Sequence, residues 1–349
     1  MKRFFRNLLF FVLIAYGVPA VYIHFFPNNF FNNAYPRWDY KRQMAHQRHD
    51  PPNDILVMGD SWTMAGVIPR LLSDRAFSFA IGGSSSIECY FLLKTYLEHN
   101  PPPREIFLSI SPAHFNQHPC FWPQTVKFKF LSIKDTLEII GRSIEMKSYP
   151  WPERHRLDRP SYYYGKYLLS YLNYVPFFRG EMSNAGIFMR RRGNQAEYLK
   201  LEANRGQALF GTAEKAQSSW EETEGKPFSE FPTSVLLDSY LEDFLDLCRK
   251  NGIKVICESM PINDYYYERM HADYVDQFTA VFRALQEKYP QFVFELAIPH
   301  YPLENFGDPG HLNQRGAERF SRYLKHKYFS ESAQTPAASS EKTVPSETN

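Results

Sequence analysis

Short apolar runs that alternate with helical segments constrain the fold of this chain more than any other feature. Five runs are rich in apolar, branched or aromatic residues and have the length of buried strands. They are DILVMG (54–59), AFSFAIG (76–82), EIFLSIS (105–111), IKVICESM (253–260) and FVFELAI (292–298). Helical periodicity occupies about 86–99, 234–251, 264–289 and 313–328. Because strands that alternate with helices form parallel sheets covered on both faces, we predict an α/β fold with five parallel strands.

The N-terminus carries an apolar segment of membrane-spanning length. Three positive charges in MKRFFRN (1–7) precede LLFFVLIAYGVPAVYIHFF (8–26), which has no Asp, Glu, Lys or Arg. A helix of this length spans the hydrocarbon core of a bilayer, about 30 Å. Because basic residues precede the segment, we expect a cytoplasmic N-terminus, a single-pass signal anchor at 8–26 in the inner or cytoplasmic membrane, and an extracytoplasmic body. The alternative is a signal peptide cleaved near VPA at 18–20.

Differences in composition suggest that the rest of the chain consists of a linker, a folded domain with an insertion, and a tail. Residues 27–52 are predicted to link the anchor to a folded domain at 53–329. An insertion at about 117–232 follows the third strand and therefore leaves from the edge of the sheet where ligands bind. It could cap that edge, shape a substrate groove, lie on the membrane or be packed aromatic decoration. Residues 330–349 contain mainly Ser, Thr, Pro, Ala and Glu, so we predict a disordered tail.

Charge and aromatic content narrow the classes of partner. The formal net charge is +2, so nucleic acid is not an expected partner. Aromatic residues make up 17% of the chain, a content common where proteins touch sugars or membrane interfaces. Tyr162–Tyr164 and Tyr265–Tyr267 could stack on sugars, although packing is the commoner role of such side chains.

Cysteine and histidine spacings give no disulfide or metal signature. The four cysteines form no CxxC pair, and we expect Cys89, Cys248 and Cys257 to be small core residues. Two clusters have spacings that could hold a metal but match no familiar zinc pattern. They are His46 with His49 and Asp50, and His114 with His118 and Cys120. We therefore expect neither a metal nor a cofactor.

A serine and an Asp-x-x-His motif suggest nucleophilic catalysis. Ser61 follows the first strand in ILVMGDSW, where a serine is more often a helix cap than a nucleophile. Asp308 and His311 lie three residues apart in NFGDPGHLNQ, just before the last helix. At that spacing the carboxylate can bind one imidazole nitrogen and leave the other to accept a proton from a hydroxyl. We predict that Ser61 attacks, His311 is the base and Asp308 orients it.

These motifs resemble the SGNH (GDSL-type) hydrolases. The resemblance is carried by Gly59-Asp60-Ser61 after strand one, Gly82-Gly83 after strand two, and Asp308-x-x-His311 before the last helix. It covers about 53–116 and 252–325 but not the insertion. The sequences DILVMGDSW, GVIPRLL, AIGGSSSIECYFLLKTYL and SISPAHF are closest to a membrane-anchored branch with DltD-like, AlgJ/AlgX-like and DUF1574 proteins. The resemblance implies a flavodoxin-like three-layer sandwich around the five-stranded sheet.

The resemblance also implies an oxyanion hole, in which this chain departs from the family pattern. The backbone N–H groups of Ser61 and Gly83 fit two of the expected donors. The third donor in the family is often an Asn side chain after strand three, but the chain here reads SISPAHFNQH. Ser111, His114 or Asn116 could replace it. Since the loss of one donor typically costs about 10²–10³ in rate, a slow or partner-dependent transferase is a credible alternative to a hydrolase.

The resemblance implies acylation chemistry on an envelope polymer. We expect a serine esterase or O-acyltransferase acting on acyl esters, with acetyl the expected group, of an envelope polysaccharide or acylated glycan through an acyl-Ser61 intermediate. A multi-spanning membrane acyltransferase is an expected partner. One alternative is a catalytically weak or silent scaffold that binds polymer or that partner. Another is a cytosolic or peripheral lipase-like enzyme, which the uncharged N-terminal segment disfavours.

Overall fold

Five parallel strands form the central sheet, which confirms the prediction from the apolar runs. The computed structural model of the protein describes residues 1–151, 162–165, 167, 187–210 and 228–330. The central strands lie in the order β2-β1-β3-β4-β6, and β5 pairs with β7 in a small parallel sheet. The strands are β1 (Ile55–Gly59), β2 (Ala76–Ser78), β3 (Glu105–Ser109), β4 (Lys254–Cys257), β5 (Ile262–Asn263), β6 (Val293–Phe294) and β7 (His300–Tyr301).

Alternate residues of the central strands enter two different hydrophobic cores. In β1, Leu56 and Met58 belong to one core, while Ile55 and Val57 belong to the other. Both faces of the sheet are therefore covered, which explains why its strands read as continuous apolar runs. Counted along the chain, the central strands follow the 2-1-3-4-5 order of doubly wound sheets. In that arrangement ligands bind beyond the carboxyl ends of the first and third strands.

Helices surround the sheet and largely follow the predicted periodicity. The predicted helix at 264–289 is divided in two, and the segment at 313–328 ends in a π-helical turn, Lys325–Phe329. The helices are α1 (Lys2–Phe25), α2 (Tyr35–His46), α3 (Ser61–Gly66), α4 (Pro69–Leu72), α5 (Ser86–His99), α6 (Ala113–Asn116), α7 (Ile133–Glu145), α8 (Ile187–Ala203), α9 (Val235–Lys250), α10 (Asp264–Glu268), α11 (Ala272–Lys288) and α12 (Gln314–Leu324).

The first helix, α1, is apolar and exposed along most of its length. An 18-residue window in it has a mean hydropathy of 2.1, and only 6% of that window is buried. Phe10, Phe11 and Phe25 are each more than half exposed. By length and composition, α1 can be a membrane anchor or a signal sequence.

The predicted linker at 27–52 instead contains α2, which packs into the body of the protein. Trp38 is 1% exposed, and its ring meets that of Phe130 edge-on with centroids 5.0 Å apart. Lys41 is fully buried and donates to the backbone carbonyls of Ser78 and Gly206. This helix buries polar residues such as Lys41, which blurs its hydrophobic periodicity and explains why the sequence pattern did not indicate it.

The described part of the insertion contributes to an aromatic cluster and also lines a cavity at the carboxyl edge of the sheet. Phe121 and Trp151 stack with centroids 4.2 Å apart in a third apolar cluster that includes Tyr240 of α9. Cys120 and Phe210 line a cavity at the sheet edge. The described part of the insertion therefore packs through aromatic side chains and also lines the edge of the sheet. Residues 152–161, 166, 168–186 and 211–227 lie outside the described residues, as do residues 331–349 of the predicted tail.

The small sheet supports the loop at 307–311, which carries the Asp-x-x-His motif. Asn263 is the last residue of β5 in this sheet, and its Nδ2 donates to the Pro309 carbonyl at 3.4 Å. The backbones of Phe306 and Leu312 pair in an antiparallel bridge across the base of the loop. The loop is thereby closed on itself and fixed beside the carboxyl end of the sheet.

Candidate functional site

Ser61 is the first residue of α3, directly after β1. The N-cap of this helix is Asp60, whose Oδ1 accepts the Trp62 backbone N–H at 3.0 Å. Ser61 therefore does not have the capping role that a serine after a strand most often has. Its hydroxyl makes no hydrogen bond to any residue that the structure describes. The side chain lies at the edge where ligands bind in doubly wound sheets and is available for chemistry.

Asp308 and His311 form a hydrogen-bonded carboxylate–imidazole pair. His311 Nδ1 lies 2.8 Å and 2.9 Å from the two carboxylate oxygens of Asp308. The carboxylate therefore favours a proton on Nδ1 and leaves Nε2 as the proton acceptor. Nε2 is buried and has no hydrogen-bond partner within the described ranges. An imidazole in this state can accept a proton from a hydroxyl placed next to it.

The backbone of the loop keeps Asp308 ionised. Its Oδ1 also accepts the N–H groups of Gly310 and His311, at 3.0 Å and 2.9 Å. Burial alone would raise the pKa of Asp308, but the hydrogen bonds and charge of His311, together with these N–H groups, outweigh burial and lower the pKa. A lowered carboxyl pKa stabilises the fold above the unfolded value of about 3.9, and this stabilisation is lost as the pH falls through the folded pKa.

Phe210 packs against one face of the His311 ring, whereas Asp308 binds the edge of the ring at Nδ1. The two rings stack with centroids 4.7 Å apart and planes 22° from parallel. Arg37 of α2 lies over Phe210, 4.5 Å from the ring centroid, and its Nε binds Glu197 of α8 at 2.6 Å. The orientation of the imidazole is therefore supported by α2, α8 and the insertion.

Ser61 lines two cavities of different size. The smaller, about 180 Å³, is also lined by His311, Gly83 and Phe210. The larger, about 820 Å³, is also lined by His114 on the α6 side. Small-molecule sites typically measure about 300–1,000 Å³, so the larger cavity can hold a sugar-sized group and the smaller one only a compact group.

Two backbone N–H groups beside the smaller cavity are free to bind an oxyanion. Ser61 opens α3, and the first N–H groups of a helix have no partner within that helix. Gly83 has φ +82°, and a Cβ there would overlap Cys120 Sγ, so only glycine fits this close approach. Neither N–H donates to a residue in the described part of the chain. These are the two donors that the family resemblance implies.

The three candidates for the third oxyanion donor lie along the larger cavity. Ser111, His114 and Asn116 all line it. The backbone N–H of Ser111 is committed, since it donates to Asp60 Oδ2 at 2.7 Å. The smaller cavity, where Gly83 lies, is lined by none of the three. The third donor stays a prediction.

Asp60 and His114 form a second carboxylate–imidazole pair, which the sequence reasoning missed. His114 Nδ1 lies 2.9 Å from Asp60 Oδ2, and Asp60 is fully buried. Burial alone would raise the pKa of Asp60, but its hydrogen bonds with His114 and Ser111 and the charge of His114 lower it. The available signal was that Asp60 and His114 follow β1 and β3, which are neighbours only once the sheet order is known.

The remaining candidates have other roles. Burial raises the pKa of Cys120 to about 11, so its thiol stays protonated near neutral pH and is a poor nucleophile. His118 binds the buried Glu88 at 2.8 Å, whereas His114 binds Asp60. Across the described ranges, no group of three or more His, Cys, Asp and Glu side chains is arranged to hold a metal. The other cysteines are buried, as the sequence predicts.

Comparison with known proteins does not assign this site. No family model matches the chain, and no curated protein matches it. The chemistry of the site is therefore argued from its own residues.

Proposed function

We propose that the protein is a membrane-anchored serine esterase or O-acyltransferase of the SGNH type. One observation carries the proposal: Ser61 and His311 line the same small cavity, and neither the Ser61 hydroxyl nor the buried His311 Nε2 has a hydrogen-bond partner among the residues that the structure describes. Asp308 adds the group that fixes the tautomer of His311. This is the division of roles in a serine nucleophile, its base and the orienting carboxylate.

This geometry supports acylation of the serine. His311 Nε2 removes the Ser61 proton as Oγ attacks the carbonyl carbon of an ester, and Asp308 stabilises the imidazolium that forms. The N–H groups of Ser61 and Gly83 stabilise the tetrahedral oxyanion. The bond to the donor alcohol then breaks and leaves an acyl-Ser61 ester. The departing alcohol gains a proton, and the acceptor that later attacks loses one.

Cavity size and the position of the anchor support a short acyl group and an envelope polysaccharide. The smaller cavity suits an acetyl group, and the larger one suits a sugar, with Tyr266 and Tyr274 in its wall. Trp38 lines the smaller cavity and lies in α2, the α-helix that follows α1 along the chain, which favours delivery of the acyl group at the membrane, with a multi-spanning acyltransferase as the partner. Water as acceptor gives an esterase, and a sugar hydroxyl gives a transferase.

Loss of the nucleophile or the base is expected to remove the effect on envelope acylation in cells. Cells that express the full chain should differ from cells without it in ester-linked acetate on purified envelope polysaccharide. Ser61→Ala and His311→Ala should abolish that difference because no acyl-serine can form. Acetate released by mild alkali provides the measurement.

Ser239→Ala is the matched control for this experiment. The Ser239 hydroxyl donates to the Leu236 carbonyl within α9 at 2.7 Å and lines neither cavity. This variant should retain the full effect at equal expression. If the Ser61 and His311 variants also retain the full difference in ester-linked acetate, the protein is a silent scaffold and not an enzyme that forms an acyl-serine.

A further inference from the structure

Two histidines flank Ser61 and face different cavities. His311 lines the smaller cavity, His114 lines the larger one, and Ser61 lines both. His311 Nε2 is closed off from solvent. The His114 and His311 side chains are 13% and 20% exposed, but His114 Nε2 is not among the fully buried atoms and has no hydrogen-bond partner among the described residues. A hydroxyl compound in the larger cavity therefore meets His114 beside Ser61, whereas His311 lines only the smaller cavity.

We propose that His114 is a second acid–base catalyst, which exchanges a proton with the alcohol that leaves and with the hydroxyl that enters. His311 then exchanges a proton only with Ser61. This inference rests on the proposed function and adds the residue that acts on the alcohol side of the reaction. The same group can serve both alcohols because donor and acceptor occupy the same position at Ser61 in successive steps.

Asp60 orients His114 for the proposed acid–base role. Its buried carboxylate accepts from His114 Nδ1, from Ser111 N–H at 2.7 Å and from Trp62 N–H at 3.0 Å. A fixed buried carboxylate stabilises the imidazolium of His114 and keeps Nε2 as the nitrogen that gains and loses the proton. Asp60 thus relates to His114 as Asp308 relates to His311.

The protons balance over the complete cycle. The proposed cycle starts with a proton on His114 Nε2 and none on His311 Nε2. In acylation, Ser61 Oγ bonds to the acyl carbon and gives its proton to His311, while the alcohol leaves and takes a proton from His114. In deacylation, the acceptor oxygen bonds to the acyl carbon and gives its proton to His114, while Ser61 Oγ leaves and recovers its proton from His311. The enzyme returns to its initial state.

The leaving group of the substrate distinguishes this role from oxyanion binding. A p-nitrophenolate leaves without an acid, whereas an alkoxide does not. Loss of His114 should therefore spare acylation by p-nitrophenyl acetate and slow acylation by an alkyl acetate. An oxyanion donor stabilises the tetrahedral intermediate whatever the leaving group, so its loss slows both.

His114→Gln in the full chain is the test. With p-nitrophenyl acetate, we expect the rapid burst of p-nitrophenol to persist at the wild-type rate. Steady-state turnover should fall by about 10²-fold or more, the typical contribution of an acid–base group, because deacylation is slowed. Acetyl-Ser61 should accumulate in intact-protein mass spectra, and ethyl acetate hydrolysis should fall in both steps.

His300→Gln is the matched control, since His300 Nδ1 lies 2.7 Å from Asp264 in an exposed pair outside both cavities. It should retain wild-type kinetics. His114→Asn repeats the test with a smaller side chain, and phosphonate labelling of Ser61 reports an intact site. An equal loss in burst and turnover, or no loss in either, overturns the role of His114. If the wild type shows neither burst nor Ser61 adduct, the proposed function itself fails.

Discussion

Replacing Ser61 or His311 by alanine should lower turnover of an acetyl ester by a factor on the order of 10⁵–10⁶. Without the hydroxyl no acyl-enzyme forms, and without the imidazole no base removes its proton. The measurement is kcat of the full chain in detergent micelles with p-nitrophenyl acetate. The double variant should be no slower than either single variant, because both residues serve one proton transfer.

The control for these two variants is again Ser239→Ala, which should keep wild-type kcat. The melting temperature of Ser61→Ala should lie close to that of the wild type, since Ser61 makes no hydrogen bond to the described residues. That of His311→Ala should be somewhat lower, since the variant loses the pair with Asp308 and the stack on Phe210. A loss of less than tenfold for Ser61→Ala, in a folded protein, would contradict its role as nucleophile.

Asp308→Asn should lower kcat by about 10³–10⁴-fold. The amide preserves the shape of the side chain but can donate to His311 Nδ1, which would place the proton on Nε2 and leave no acceptor for the Ser61 hydroxyl. The same kinetic assay measures the effect. The burst phase should shrink with turnover, because acylation itself is slowed.

Asp264→Asn is the matched control, because it removes the charge from an Asp–His pair of similar geometry at the surface. His300 Nδ1 lies 2.7 Å from Asp264 Oδ1, and both side chains are more than one-third exposed. Wild-type kcat is expected for this variant. If Asp308→Asn also keeps it, the carboxylate only positions the loop.

The central fold was predictable because its strands are buried on both faces. In β1 and β3 every residue is buried, and their sequences, ILVMG and EIFLS, are mostly apolar runs. The edge strands, β2 and β6, are shorter than the apolar runs from which they were predicted. Phe79 and Ile81 follow β2 and still donate to the carbonyls of β1, but they lie outside the regular strand. Strand boundaries depend on such pairing, which the sequence does not contain.

The helix α2 and the small sheet were not predictable from local patterns. Lys41 is buried only because Ser78 and Gly206, distant in sequence, supply carbonyl oxygens to its ammonium group. The paired strands β5 and β7 contain two residues each, too few to show a period. Both features depend on contacts between distant parts of the chain.

Of the two carboxylate–imidazole pairs, likewise, one is visible in the local sequence and the other depends on a contact between distant parts of the chain. Asp308 and His311 are three residues apart, so their spacing alone suggested the contact. Asp60 and His114 are 54 residues apart and meet because β1 and β3 are neighbours. Phe210 reaches His311 from within the insertion, whose path had no sequence signature.

The central claim is that Ser61 is a nucleophile activated by His311, and covalent labelling tests it most directly. The full chain is treated with a serine-directed phosphonate and analysed by intact-protein and peptide mass spectrometry. We predict one adduct, located on Ser61, which is absent in Ser61→Ala and forms far more slowly in His311→Ala, while His300→Gln labels like the wild type. No adduct on Ser61, or labelling at the same rate without His311, would contradict the claim.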